Sequence, residues 1–127
     1  MARKLLILGL ALLAIFAVVT VVFVPRLAVQ AHQRAVIQEL SLWEAEYGRA
    51  STASEAIRTA EMIKYVQTYY QPREGYRGSE ASENVLQSQR QETIDAMVAA
   101  LRSFTGEDFG ENADEWFVYL GSNQTSD

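Results

Sequence analysis

Residues 5–24 hold no charged side chain, and only Gly9 and Thr20 interrupt a run of aliphatic and aromatic positions. Twenty helical residues rise roughly 30 Å, the depth of a bilayer's hydrocarbon core, so this run predicts a membrane-spanning helix. About 100 further residues are too few to surround so apolar a helix on all sides, which argues against a buried soluble helix. A secretory signal has an apolar stretch of about 7 to 15 residues with cleavage close behind it. Here the run is longer, and the small-residue site at Val29, Gln30 and Ala31 lies well past its end. The expectation is therefore an uncleaved signal anchor over residues 1–25. Arg3 and Lys4 crowd the short side of the run, whereas Arg26 and Arg34 are spread along the other. By the positive-inside rule the amino terminus belongs in the cytoplasm of a cytoplasmic (inner) membrane, with the rest on the periplasmic side.

Beyond Pro25 the pattern changes to a helical period. Val29, Val36, Leu40, Trp43 and Tyr47 form one apolar stripe over residues 26–48, a juxtamembrane amphipathic helix that Gly48 would stop. Pro25 suits either the first turn of a new helix or a kink in a continuous one. Residues 49–121 predict a small helical domain. Ser54 and Glu55 read as the start of a helix carrying Ile57, Ala60, Ile63, Val66 and Tyr70 on one face, with Pro72 ending it. Ser82 reads as the cap of a longer helix lined by Leu86, Thr93, Ile94, Met97, Leu101 and Phe104 and closed by Gly106. A short helix over residues 113–120 offers Trp116, Phe117 and Leu120, with Gly121 as its cap, and residues 122–127 read as a flexible tail. No stretch alternates with period two. The expected class is all-α, one transmembrane helix followed by a small extramembrane domain built on an antiparallel helix pair.

The stretch "QRQETIDAMVAALRSFTGEDFGENADEWFVYL", residues 89–120, resembles the closing segment of bacterial HEAT-like helical-repeat proteins. There a long helix ends in a leucine, a Thr-Gly turn, an Asp-Phe-Gly turn and a tryptophan. The matching positions are Leu101, Thr105, Gly106, Asp108, Phe109, Gly110, Asp114 and Trp116. The resemblance implies helix stacking and interaction surfaces, with no activity attached. One helix pair fits, whereas solenoids need about three repeats for stability.

Charge and composition narrow the function. Past Pro25 there are 9 basic and 16 acidic residues, and from Ser103 onward no Lys or Arg accompanies six carboxylates. Without a basic stripe to neutralise phosphates, nucleic acid is not an expected partner. Cysteine is absent, which excludes disulfides, thiolate metal sites and covalent c-type haem. His32 is the single histidine. It could ligate a pigment or haem or titrate near neutral pH, but flanking Gln30 and Gln33 favour a plain interfacial residue. "GEDFGENADE" lacks the ligand order of a calcium loop, and its acids suit helix starts. "NQT" at Asn123 matters as a glycosylation sequon only in a eukaryotic secretory route. No nucleophile–base pair is visible, so no enzyme, cofactor or metal is expected.

What remains is contact. Adjacent Tyr69 and Tyr70 cannot both face one core from a helix, and tyrosine is enriched at interfaces. The expected partner interface comprises Tyr69, Tyr70, Tyr76, Phe109, Trp116 and Phe117. The expected role is that of a non-catalytic accessory subunit of a larger membrane complex, respiratory or photosynthetic, with the lipid bilayer and neighbouring subunits as partners. The alternative is a membrane-tethered module that recruits a soluble or envelope protein.

Overall fold

In the computed structural model, which describes residues 1–70 and 78–124, every regular element is helical. α1 (Ala2–Val18), a π-helical turn (Val19–Phe23) and α2 (Val24–Tyr47) form one unbroken helix of 46 residues, roughly 69 Å at about 1.5 Å per residue. Its apolar first half packs against nothing among the described residues: Leu5 is 66 % exposed and Phe16 67 %. By length and apolarity this helix can cross a membrane.

Pro25 neither starts a new helix nor breaks the old one. A proline ring inside a helix collides with the carbonyl four residues back and leaves it without a donor. The π turn lies directly before the proline and widens the backbone there, so that the Val24 N–H bonds the Val19 carbonyl, five residues back. At the boundary expected between residues 25 and 26 the helix thus continues without a break.

The head begins at Gln33. From there α2 buries Gln33, Val36 and Leu40 and half-buries Trp43 and Tyr47. α3 (Ala53–Thr68) starts two residues before the expected cap. Thr52, not Ser54, accepts the Glu55 N–H at 3.2 Å, and the Glu55 carboxylate reaches back to the Ser51 N–H at 2.8 Å. The Ser51 hydroxyl, then the Ser51 amide, hold the Glu55 carboxyl below its usual range. α4 (Glu80–Thr105) likewise starts earlier than expected, because Ser79 accepts from the Ser82 N–H at 3.2 Å. It ends as expected at Gly106, whose φ of +76° is the left-handed conformation that glycine adopts without strain. α5 (Ala113–Gln124) passes straight through Gly121, so that residue caps nothing and Ser122 belongs to the helix. Residues 125–127 of the expected tail, like Pro72, lie outside the described residues.

Hydrogen bonds fix the directions. Gln33 meets Glu83 at 2.8 Å and the Leu40 carbonyl accepts from Thr93 at 3.2 Å, so α2 and α4 run parallel. Thr59 bonds the Tyr47 carbonyl at 3.1 Å near the start of α3, and Tyr69 bonds Glu39 just past its end, so α3 runs against both. The expected antiparallel pair α3–α4 is present, yet α2 has the more extensive contact with α4 and is a full third wall. Leu40, Ile63, Leu86, Met97, Leu101 and Trp116 are fully buried in one cluster, while Phe104 stays 37 % exposed. α5 lies against α3.

One charge enters this core. Arg90 is 6 % exposed and donates to the Tyr69 and Tyr70 carbonyls at 2.7 and 2.8 Å and to Gln87 at 2.9 Å. Burial lowers its pKa from the ordinary guanidinium value, and the Glu83 charge opposes that shift. The guanidinium caps carbonyls just past the end of α3, where helix dipoles favour positive charge.

Leu40 and Leu42 stand on opposite sides of α2, at 0 % and 67 % exposure. Leu40→Ala should lower the unfolding free energy of the head by about 2–5 kcal/mol, against about 0.5 kcal/mol or less for Leu42→Ala. Urea titration of the full chain in mild detergent, followed by tryptophan fluorescence, measures both.

Candidate partner interface

The corner between α4 and α5 is built residue by residue. The Thr105 hydroxyl donates to the Leu101 carbonyl at 2.7 Å and accepts from the Glu107 N–H at 3.1 Å. Past Gly106 the Asp108 carboxylate receives the Arg102 Nε at 2.7 Å and the Gly110 N–H at 2.9 Å. Arg102 first, and the Gly110 amide second, hold this carboxyl below its usual range. Gly110, at φ +55°, turns its carbonyl to accept from the Trp116 Nε1 at 2.9 Å. The Phe109 ring meets the Trp116 indole edge-on at 4.8 Å. Asn112 then caps α5 by accepting from the Glu115 N–H at 3.3 Å. Lys64 bonds Asp114 at 3.0 Å, and Gln67 donates to the Glu111 carbonyl at 2.9 Å, which pins the start of α5 to α3.

Trp116 is therefore interior, 0 % exposed, and positions other groups instead of presenting itself. Phe109 and Phe117 are half-buried. The outward face of α5 instead carries Val118, 74 % exposed, between Asp114 and Glu115 on one side and half-buried Tyr119 on the other. With Phe109 these line an open depression of about 630 Å³. Sequence reasoning missed Val118 and Tyr119. The available signal was spacing: two residues from both Trp116 and Leu120, Val118 falls on the far side of a helix whose core stripe those two define.

Tyr69 and Tyr70 lie elsewhere, against α2. Tyr69 packs edge-on to Trp43 at 4.8 Å and beside Tyr65 at 5.4 Å, with its hydroxyl donating to Glu39. Tyr70 follows the helix with φ +50°, and its ring meets His32 at 4.9 Å. The helix ends at Thr68, and Tyr69 is its extended C-cap, which is how two adjacent tyrosines both turn toward α2. Tyr76 lies outside the described residues. The named aromatic residues thus fall in two patches on different sides of α3.

No family model matches this chain, and neither a curated protein nor a solved structure matches it. The chemistry must be read from the residues alone. Among the described residues no three His, Cys, Asp or Glu side chains gather as metal ligands. His32 is exposed on the flank of α2, its ring edge against Tyr70. The acidic run disperses to separate tasks: Asp108 to the corner, Asp114 to Lys64, and Glu111 to Gln91. What this end offers is a rigid, partly apolar surface with surplus negative charge.

The Tyr69 hydroxyl bond gives a pH signature. Donation to Glu39, with burial second, pushes its pKa up to about 12. The neutral hydroxyl favours the folded state, so this contribution is complete below the unfolded value of about 10 and disappears as pH rises to about 12. Urea midpoints at successive pH values should fall across that window in the parent chain, and the fall should be shallower in Tyr69→Phe.

Proposed function

We propose that this chain is a single-span, non-catalytic accessory subunit of a larger integral membrane complex, bracing its neighbours through a helical head. The observation that carries the reading is the continuous helix Ala2–Tyr47, apolar and uncovered in its first half and core-forming in its second. A neighbour that grips such a span also fixes the head, because no flexible link separates them. An energy-transducing complex, respiratory or photosynthetic, is the host we favour. In this reading the amino terminus, with Arg3 and Lys4, lies in the cytoplasm and the head on the periplasmic side. The antiparallel α3–α4 pair and the corner closed by Thr105, Asp108 and Trp116 support kinship with HEAT-like helical proteins. The exposed Val118 stripe supports a second reading, a tethered module that recruits a soluble or envelope partner.

Purification in mild detergent followed by native mass spectrometry separates these. An accessory subunit appears in a stoichiometric assembly with other integral membrane subunits, whereas a free monomer under every mild condition removes the proposal. Orientation has its own test. The sequence contains no cysteine, so Ser126→Cys introduces a unique thiol. It should react with a membrane-impermeant maleimide in spheroplasts, and protection until the membrane is opened reverses the assigned topology.

A further inference from the structure

We infer that the outward face of α5 docks a cationic amphipathic helix from a neighbouring subunit. The inference rests on the accessory-subunit reading and names the chemistry of the contact. Two observations carry it together. First, Val118 is 74 % exposed on α5, and it lies beside the half-buried rings of Phe109 and Tyr119 in the open depression. An apolar strip of this kind on a rigid helix fits another helix laid along it. Second, the surrounding charge is net negative. Five carboxylates lie between Ser103 and Gln124 with no Lys or Arg among them. Lys64 and Arg102 compensate Asp114 and Asp108, which leaves Glu107, Glu111 and Glu115 without an ion pair among the described residues.

A partner helix with apolar residues at i and i+4 would cover Val118 and the two ring edges. Lys or Arg on its flanks would meet Glu111 and Glu115. α5 spans 12 residues, roughly 18 Å, so about three turns of the partner are engaged. An acidic helix is repelled by the same surface, which makes charge the selective feature and the apolar strip the adhesive one.

The test places the photoreactive residue p-benzoylphenylalanine at Val118 in the full chain in its own membrane. The control is the same residue at Val85, which is 56 % exposed on the outer side of α4. Both positions project into solvent, and circular dichroism confirms that the helices persist. After irradiation, mass spectrometry should find a Val118 adduct to a net-positive peptide of another subunit, at least fivefold above Val85. Glu111→Gln with Glu115→Gln, added to the same chain, should reduce it at least threefold. An adduct to lipid, to a neutral or acidic peptide, or at equal yield from Val85 overturns the inference, as does indifference to the two Gln changes. If native mass spectrometry finds the chain in a complex while Val118 yields no adduct, the docking face is wrong and the accessory-subunit reading stands. A monomer in native mass spectrometry overturns both.

Discussion

Hydrocarbon offers a peptide group nothing to bond to, and each unpaired N–H or C=O there costs several kcal/mol. The 46-residue helix takes its form from that constraint. Inside lipid the chain must be helical, and where the apolar run ends nothing forces it to stop. Residues 26–47 keep helical periodicity, and the first glycine after the span is Gly48. The same rod is therefore apolar all round in its first half and carries a single buried stripe in its second. The head is clamped to this rod from Gln33 onward, about nine residues, roughly 13 Å, past Val24.

A second tie holds the membrane-facing end of the head. There the core is polar. Glu83 accepts from both the Gln33 amide and the Gly78 N–H, at 2.8 and 2.9 Å, which links α2, the start of α4 and the chain entering it. Gly78 sits so close to Gln33 that a Cβ would fall 2.4 Å from its Oε1, and no other residue fits without displacing that amide. About two helical turns on from Glu83, Arg90 captures two carbonyls of the departing end of α3. Removing a guanidinium from water is expensive, and carbonyl acceptors offset it only in part. Its Nε and the Gln33 Oε1 find no partner among the described residues. Such a junction adds little net stability. It specifies which helix end meets which, something interchangeable aliphatic contacts cannot do.

That difference explains what could be read from the sequence. The span was legible because twenty uncharged residues admit few alternatives, and the stripes of α2, α3 and α4 were legible from their period. Gly106 was legible as a terminator because Thr105 and Arg102 precede it in a full helical pattern. Cap positions were not, since Ser51, Thr52, Ser54, Ser79 and Ser82 all qualify chemically. The choice falls to whichever one the rest of the helix can also satisfy, such as Thr52 with Glu55 three residues on. Buried Gln33 and Arg90 were invisible, because a polar residue's burial depends on a partner distant in sequence, whereas Thr93 was legible from its place on the apolar stripe of α4. The aromatic residues named from the sequence do not share one face, and the largest of them, Trp116, went inward and left a valine on the surface of α5.

An exposed apolar side chain means different things along this one chain. Leu5 and Phe16, each about two-thirds exposed, lose nothing in hydrocarbon, where exposure is burial by another name. Val118, 74 % exposed on the head, remains in water, where each uncovered Å² of apolar surface costs about 25 cal/mol. A single valine is an ordinary surface feature. A valine lining a depression with half-buried aromatic rings, on a helix held by a capped, ion-paired and tryptophan-anchored corner, is a different matter. That corner spends two glycines, an Arg–Asp pair and the largest side chain of the head on fixing the direction of a twelve-residue helix whose own buried face is small. Packing alone does not require so much local definition. The docking proposed for α5 would draw on that fixed direction.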